Sequence, residues 1–306
     1  MIKKVLFGTA VLLAGIIVVT FIFYSSFRSE RLSDLESGSE LVQTSGGPIE
    51  YAIAGNDGPV ILFLHGTAGG YDSGFDWPGF RVLAVSRPGY LRTPLRVGRT
   101  PEEQAHAYAE LLDSLDIESV VVFGASGGGP SAITFAALHP EMTTALLGLF
   151  PISQSWRFAH EQPAFSRSDF SLWAAAKASS TSFGRKLLSL FARGPGAEQW
   201  IATGAEMLGE WPPSRRNAGL LNDSTQYEQL DLLSGREITV PTLVIHGTGD
   251  TDVPFSQSER LTERIPGSVL HAIEGGTHGM MATHSEGIVQ AMAEFLSRVT
   301  TPPPGR

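Results

Sequence analysis

The chain of 306 residues contains no cysteine. Without thiols it can form no disulfide framework, no cysteine nucleophile and no zinc, iron–sulfur or haem site ligated by cysteine. A chain of this length still buries enough apolar surface to fold without such cross-links. Other side chains must therefore carry any catalytic chemistry, and cysteine usage does not identify the redox compartment.

Positive charge is also scarce, because 22 lysines and arginines stand against 31 aspartates and glutamates, for a net charge of −9. The basic residues form no run longer than an isolated pair, so no nucleic acid partner is expected. The G-x-x-x-x-G-K-[ST] and G-x-G-x-x-G motifs that bind nucleotide phosphates are also missing from the sequence. A neutral or modestly polar small molecule is the expected substrate.

One long apolar run stands near the start of the chain, where residues 5–24 read VLFGTAVLLAGIIVVTFIFY without a charge. At a rise of 1.5 Å per residue, about 20 such residues span the roughly 30 Å apolar core of a bilayer. We therefore predict a transmembrane anchor over residues 1–27 and a polar linker over residues 28–47. Lys3 and Lys4 precede the run, which favours a single pass with a cytoplasmic N-terminus and the remaining chain outside the cytoplasm.

The alternative for this run is a signal peptide, whose cleavage would release a secreted protein. The apolar core of a signal peptide usually has about 7–15 residues, and the run here is longer. The sequence YSSFRSERL that follows it also lacks a convincing A-x-A cleavage site. The anchor is therefore the favoured interpretation.

From residue 48 onward, short apolar runs alternate with helical patterns. The runs lie at 60–64, 81–86, 120–124, 145–150, 242–246 and 268–273. Continuous apolar strands separated by helices are typical of a parallel sheet with helices on both faces. The sequence thus predicts an α/β fold with a doubly wound, mostly parallel sheet, formed by residues 48–151 and 238–299.

The alternation stops between residues 152 and 237, where the pattern is mostly helical and contains Gly-Pro and Pro-Pro turns. We interpret this segment as a helical lid inserted between the two parts of the chain that form the sheet. It contains four of the five tryptophans, namely Trp156, Trp173, Trp200 and Trp211. These rings either give the lid an apolar underside or pack a small core within the insertion. Residues 300–306 are expected to form a disordered tail.

The sequence GASGG at 124–128 matches the G-x-S-x-G motif, directly after one apolar run and before a helical pattern rich in small residues. Small flanking residues permit a tight, strained turn that exposes the serine hydroxyl at the start of the helix. Ser126 is therefore the predicted nucleophile. A serine hydroxyl is weakly nucleophilic at neutral pH, so the site also needs a base and a group that orients the base.

Both partners are available downstream, on loops that follow apolar runs. Asp250 lies in HGTGDTDVP, and His278 lies in EGGTHG. Ligands of parallel sheets meet such loops at the carboxyl ends of the strands. The chain order serine, aspartate, histidine is also one of the known orders for this kind of triad. Asp250 and His278 are therefore the predicted acid and base.

Rival residues stand close to both positions. Asp252 is the alternative acid, unless it caps the helix predicted to begin near Ser256. His271 and His284 are the alternative bases. His271 lies within a predicted strand and His284 at the start of a predicted helix, where structural or surface roles are more typical.

Acyl transfer needs donors for the oxyanion of the tetrahedral intermediate, and backbone N–H groups supply them in a fixed orientation. The N–H of Gly127, at the start of the helix, is the first predicted donor. The second is expected in the turn HGTAGG after the run 60–64, where Thr67 is the predicted donor and Ala68 the alternative. His65, in the same turn, is interpreted as a structural residue.

The loops HGTAGG, SRPGY, GASGGG, HGTGDTDVP and GGTHG follow one another at the predicted strand ends. In this order they resemble the α/β-hydrolase superfamily over residues 48–298, with a lid insertion. The resemblance implies the α/β-hydrolase fold. It also selects Asp250 as the acid, because in the resembling family the aspartate follows H-G-x-x.

One loop departs from the family pattern. The segment beginning at Ser86 often starts with aspartate in that family and has glycine at the position of Leu91, so its geometry here is in question. Arg87 and Arg92 in this loop are expected to form salt bridges or to face solvent, although contact with an acidic substrate is the alternative.

The resemblance implies a serine hydrolase that cleaves a carboxylic ester or related acyl bond through an acyl-enzyme intermediate. Epoxide hydrolases and haloalkane dehalogenases of the superfamily carry aspartate at the position of Ser126, so their chemistry is not expected. Neither a cofactor nor a metal is required. The alternatives are a carbon–carbon bond hydrolase or an acyltransferase on the same fold, and a non-catalytic binding protein.

Overall fold

The computed structural model describes residues 2–157, 168–191, 206–231 and 238–300. The chain divides into two compact units. Residues 40–162 and 213–306 form the larger unit, and residues 1–39 and 163–212 form the smaller one. Trp200 and all of the predicted tail except Thr300 lie outside the described residues.

The larger unit is built on an eight-stranded sheet. Its strands are β1 (Glu40–Thr44), β2 (Gly47–Ala54), β3 (Val60–Leu64), β4 (Arg81–Val85), β5 (Val120–Ala125), β6 (Thr143–Leu149), β7 (Thr242–Gly247) and β8 (Val269–Ile273). They are ordered β1-β2-β4-β3-β5-β6-β7-β8 across the sheet. The pairs β1–β2 and β2–β4 are antiparallel, and the other neighbouring pairs are parallel. The predicted fold class is confirmed, and all six apolar runs form strands.

Helices join most of these strands. The described helices are α1 (Ile2–Ser37), α2 (Pro101–Ser114), α3 (Gly129–Leu138), α4 (Asp169–Ser179), α5 (Ser182–Phe191), α6 (Asn217–Gln229), α7 (Ser256–Arg264), α8 (Met280–Thr283) and α9 (Ser285–Thr300). Short 3₁₀ turns lie between several of them. At the start of α2, Thr100 and Glu103 form a capping box and Pro101 takes the first helical position, which satisfies backbone N–H groups that the helix leaves unpaired.

The middle of the sheet is buried on both faces. Every residue of β3 and of β7 is buried, as expected for parallel strands covered by helices. Because β5 and β7 run parallel through the same sheet, and β8 lies parallel beside β7, their carboxyl ends reach the same edge. The loops that carry the predicted site residues therefore meet at that edge.

The predicted linker over residues 28–47 is wrong. Helix α1 continues to Ser37, and Glu40–Thr44 forms β1, which pairs with β2 as a hairpin at the edge of the sheet. The prediction rested on polarity, but Arg, Glu and Leu have high helix propensity and extend an existing helix readily. A polar edge strand needs only backbone pairing. The strands of the larger unit thus begin at residue 40 rather than at 48.

The segment 152–237 is largely helical where the structure describes it, but its parts belong to different units. Helices α4 and α5 fall in the smaller unit, and α6 falls in the larger one. Trp173 and Trp211 are buried in a cluster that includes Tyr24 and Phe27 of α1. Neither interpretation of the tryptophans anticipated that contact, because it joins segments that are distant in sequence.

Candidate active site

Ser126 lies directly after β5, in a backbone conformation with a φ of +48°, which costs energy for any residue with a Cβ. The two flanking glycines explain why the turn can be so tight. A Cβ on Gly124 would lie 2.5 Å from the Cβ of Ala132, and a Cβ on Gly128 would lie 2.1 Å from the carbonyl oxygen of Leu64. The G-x-S-x-G motif therefore marks two positions where only hydrogen fits.

The imidazole of His278 connects Ser126 to Asp250. Its Nε2 lies 3.1 Å from Ser126 Oγ, and its Nδ1 lies 2.7 Å from Asp250 Oδ2. The ring packs against Phe150, whose ring centroid lies 4.3 Å away, so its orientation is supported from the side as well as by hydrogen bonds. Three residues that are remote in sequence are thus brought into one hydrogen-bonded chain.

The carboxylate of Asp250 is buried and well supplied with donors. Its Oδ1 accepts from the amides of Asp252 and Val253, and its Oδ2 lies 3.3 Å from Nε2 of His246. Burial alone would raise the pKa of Asp250. The hydrogen bonds from His246, His278 and the Val253 amide outweigh burial and hold that pKa well below its usual range.

The ionised state of Asp250 assigns the proton on His278. A carboxylate only accepts hydrogen bonds, so Nδ1 of His278 carries hydrogen and donates to Oδ2. In the neutral imidazole, Nε2 then has a lone pair directed at the hydroxyl of Ser126. This arrangement can remove a proton from Ser126 and return it to a leaving group.

Asp252 occupies a different environment from Asp250. Its backbone amide donates to Asp250, while its own side chain is exposed. It does not cap α7, because the N-cap of that helix is Phe255 and no side chain makes a capping hydrogen bond there. Of the two alternatives for Asp252, the role of helix cap is therefore not observed.

The rival histidines lie elsewhere. His271 sits within β8, and Nδ1 of His284 lies 2.8 Å from the hydroxyl of Thr283. Among the described histidines, His278 alone has a ring nitrogen within hydrogen-bonding distance of Ser126 Oγ. In the described ranges, no group of three or more histidine and acidic side chains is arranged to hold a metal ion.

The two predicted oxyanion donors lie next to each other. A Cβ on Gly127 would lie 3.0 Å from the amide nitrogen of Thr67, and a Cβ on Gly66 would lie 3.3 Å from the Cβ of Ser126. The turn after β3 thus lies close to the serine turn, and Thr67 is the residue nearest to Gly127. Ala68, the alternative donor, has a left-handed backbone with a φ of +66°.

His65 is fully buried at the start of this turn and holds it in place. Its Nε2 accepts from the backbone amide of Arg87, and its Nδ1 lies 2.6 Å from the carbonyl oxygen of Gly66. Burial and the nearby charge of Arg87 lower the pKa of His65 well below its usual value. The ring is therefore neutral, with hydrogen on Nδ1, as a structural residue of the turn.

The loop after β4 and helix α6 form a buried polar network, and sequence reasoning did not identify the partners on α6. The guanidinium of Arg87 donates to both carboxylate oxygens of Asp223, at 3.0 and 2.6 Å, and the hydroxyl of Tyr90 donates to Oδ2 at 2.6 Å. Arg87 and Asp223 are both almost fully buried. No sequence motif links these positions, which lie 136 residues apart.

This network reaches the serine turn through Tyr227, also on α6. Its hydroxyl donates to the carbonyl oxygen of Gly127 at 2.6 Å. Thr67 Oγ1 lies 3.5 Å from Asp223 Oδ2. Helix α6 therefore contacts both segments that carry the predicted oxyanion donors.

The loop that departs from the family pattern keeps the geometry that glycine would supply. Leu91 has a φ of +48°, so the left-handed conformation persists with a leucine in place of glycine. The amide of Leu91 donates to the carbonyl oxygen of Arg215, which helps to hold this strained backbone. Arg92 pairs with buried Glu50 at 2.6 Å, and together with the Arg87 pair this confirms the salt bridges expected in the loop.

Comparison with known proteins gives one consistent result. A sequence profile described as the alpha/beta hydrolase family matches residues 61–291. Among solved structures, an alpha/beta hydrolase fold protein from Nakamurella multipartita is 32% identical, covers 84% of this chain and 98% of its own, and has a TM-score of 0.71.

Two curated relatives from bacteria carry hydrolase names. The uncharacterized hydrolase YcgS of Bacillus subtilis is 34% identical over 122 residues, which are 38% of this chain and 43% of that protein. A 2-hydroxy-6-oxononadienedioate/2-hydroxy-6-oxononatrienedioate hydrolase of Cupriavidus pinatubonensis is 23% identical over 291 residues, which cover 84% of this chain and 95% of the relative.

Proposed function

Since the chain belongs to the α/β hydrolase family and is a hydrolase by that relationship, we propose that it is a serine hydrolase whose catalytic triad is Ser126, His278 and Asp250. One observation carries the proposal. His278 lies 3.1 Å from the Ser126 hydroxyl on one side and 2.7 Å from the Asp250 carboxylate on the other. This is the geometry that a nucleophile, its base and the orienting acid require.

The proposed reaction begins when Ser126 Oγ attacks the carbonyl carbon of an ester and its proton passes to Nε2 of His278. The tetrahedral intermediate collapses as the alcohol leaves with that proton, and the acyl group remains on Ser126. Water then gives a proton to His278 and attacks the acyl carbon. The second tetrahedral intermediate releases the carboxylic acid as His278 returns the proton to Ser126 Oγ. Asp250 stabilises the imidazolium in both steps.

The negative oxygen of the tetrahedral intermediate is proposed to bind the backbone N–H groups of Gly127 and Thr67. The close approach of Thr67 to Gly127 supports this assignment. Backbone donors held by the fold need little reorganisation as charge develops on the oxygen, which is why such sites lower the barrier.

A neutral carboxylic ester or related acyl compound is the proposed substrate class. The two arginines of the loop after β4 are engaged by carboxylates, Arg87 by Asp223 and Arg92 by Glu50. They are therefore not available to bind an acidic substrate without breaking buried ion pairs, which is costly. Carbon–carbon bond hydrolysis is the second candidate, because the Cupriavidus relative is named as a hydrolase of a dienedioate.

A covalent probe tests the proposed nucleophile, and a substrate panel tests the proposed substrate class. Wild-type protein should react with a fluorophosphonate and hydrolyse p-nitrophenyl esters, whereas Ser126→Ala should do neither. Alanine keeps the Cβ of Ser126, so the strained turn is unchanged. Ser155→Ala, at an exposed serine, is the matched control and should behave as wild type.

Labelling at another serine would overturn the nucleophile assignment, and failure of the wild type to label would favour a binding protein. Activity on a 2-hydroxy-6-oxo-dienoate but not on any p-nitrophenyl ester of a chain-length series would establish the carbon–carbon hydrolase instead.

We also propose that residues 1–27 anchor the protein in a membrane. Helix α1 has a segment with a mean hydropathy of 2.6 that is long and apolar enough to cross a bilayer, and its large apolar side chains from Leu6 to Phe23 are exposed. Lys3 and Lys4 favour a cytoplasmic N-terminus. The catalytic unit would then face the non-cytoplasmic side. Cleavage of the segment as a signal peptide is the alternative.

A further inference from the structure

Helix α5 presents an apolar stripe that the described residues leave open. The residues Phe183, Leu187 and Leu190 are exposed to solvent, with relative accessibilities of 79%, 45% and 65%. Their spacing of four and three residues places them on one face of the helix. An amphipathic helix whose apolar face is exposed is typical of a docking surface.

The polar side of α5 is basic. It carries Arg185 and Lys186, both exposed, and the helix contains no acidic residue. This contrasts with the whole chain, whose net charge is −9. Exposed apolar side chains flanked by basic residues match the chemistry of a bilayer surface with anionic headgroups.

Aromatic contacts hold the neighbouring helix α4 against α1. Tyr24 lies 5.3 Å from Trp173 and 5.1 Å from Phe170, measured between ring centroids, and Phe27 lies 6.4 Å from Trp173. Tyr24 is the last residue of the uncharged apolar run. In a membrane-spanning helix, aromatic residues at that position lie at the level of the headgroups.

Helix α5 is in turn fixed on α4. Gly184 approaches the end of α4 so closely that a Cβ there would lie 2.1 Å from the carbonyl oxygen of Ala178. The guanidinium of Arg185 donates to the carbonyl oxygen of Ser179 at 2.8 Å. The smaller unit therefore connects the end of the apolar run to α5 through packed contacts.

We propose that the apolar face of α5 lies in the headgroup region of the same bilayer that α1 crosses, with anionic lipid as its partner. This inference rests on the proposed membrane attachment of α1. The smaller unit then contacts the membrane at two places, a spanning helix and a surface helix.

The absence of native cysteine permits a direct test with single labels on the full chain. The variants Leu187→Cys, Ser189→Cys and Ile17→Cys each receive an environment-sensitive fluorophore, and the labelled proteins are reconstituted in nanodiscs containing phosphatidylglycerol. Leu187 marks the apolar face, Ser189 is the matched control on the polar side of the same helix, and Ile17 reports on α1.

Lipids that carry a spin label near the headgroup should quench the Leu187 label several-fold more than the Ser189 label. Aqueous iodide should show the opposite preference. In the Leu187→Cys background, Lys186→Glu should reduce lipid quenching in anionic nanodiscs more than in phosphatidylcholine nanodiscs.

The inference is overturned if iodide quenches the Leu187 label as well as the Ser189 label. Protection from both quenchers would overturn it too, because protein would then cover the face, either from this chain or from a second copy. Lipid quenching at Ile17 without quenching at Leu187 would overturn the inference for α5 and leave the membrane attachment of α1 intact. No lipid quenching at Ile17 with lipids labelled deep in the acyl chain would defeat the membrane attachment as well.

Discussion

Two carboxylates stand two positions apart after β7, and their surroundings differentiate them. Asp250 is buried, accepts from two backbone amides and binds Nδ1 of His278, whereas the side chain of Asp252 is exposed. The Asp252 amide contributes to the site through its backbone, which any residue other than proline can do. The role of acid in the proposed triad therefore depends on position, because the two side chains are chemically identical.

Asp250→Asn should lower kcat strongly, while Asp252→Asn should change it little. In a serine protease of another fold, the same change at the triad acid lowers kcat about 10⁴-fold. An asparagine amide can donate to His278 and would favour the wrong tautomer. Steady-state kinetics on a p-nitrophenyl ester measures both variants, with circular dichroism to verify that they fold. A larger loss in Asp252→Asn would assign the role of the triad acid to Asp252 instead.

Tyr227 is a residue whose importance follows from one hydrogen bond, from its hydroxyl to the carbonyl oxygen of Gly127. Burial raises the pKa of Tyr227, so the hydroxyl stays protonated and donates. Tyr227→Phe should lower kcat about fivefold to tenfold, because a typical hydrogen bond is worth about 1 kcal/mol and this one holds the serine turn.

Tyr108→Phe is the matched control for this variant. It also removes a buried hydroxyl, but that hydroxyl lies near Gln104 in the core. We expect it to leave kcat unchanged. Equal kinetics in both variants would show that Tyr227 packs against the turn without positioning it.

The buried ion pair between Asp223 and Arg87 holds helix α6 to the loop after β4. Asp223→Asn should destabilise the fold by about 3–5 kcal/mol, because it leaves the guanidinium of Arg87 buried without its counter-charge. Urea unfolding followed by tryptophan fluorescence measures the change. The structure offers a control on the same helix, since Glu228 pairs with Arg157 where both are exposed.

Glu228→Gln should cost no more than about 1 kcal/mol, as surface ion pairs usually do. Similar destabilisation in the two variants would mean that the Asp223 pair contributes no more to stability than an exposed ion pair. Because α6 also carries Tyr227, a loosened helix should lower activity before it unfolds the sheet.

The chain as a whole is expected to behave as an integral membrane protein. With an uncleaved anchor, it should pellet with membranes, resist extraction by alkaline carbonate and retain its native N-terminus in protein sequencing. These results follow from burying about 20 apolar residues in the bilayer. A shorter soluble species that begins beyond residue 24 would establish the signal peptide instead.

The sequence alone predicted a mostly parallel sheet, six of its eight strands and the residues of the candidate site. Apolar strands buried on both faces are visible as uninterrupted runs, and the glycines of G-x-S-x-G mark a turn in which a Cβ would collide with neighbouring atoms. Both signals arise from local sterics and burial, so they can be read from short segments. The linker failed because the polarity of residues 28–47 says nothing about pairing partners, and β1 exists only through its hydrogen bonds to β2.

Tertiary structure decided the contacts between residues that are far apart in the chain. It paired Arg87 with Asp223, placed Tyr227 on the carbonyl of Gly127, and packed Trp173 against Tyr24. It also showed that Asp250, and not Asp252, faces His278. These contacts depend on how whole elements pack in three dimensions. No local pattern of residues encodes that packing, which is why a motif could select Asp250 but no motif could point to Asp223.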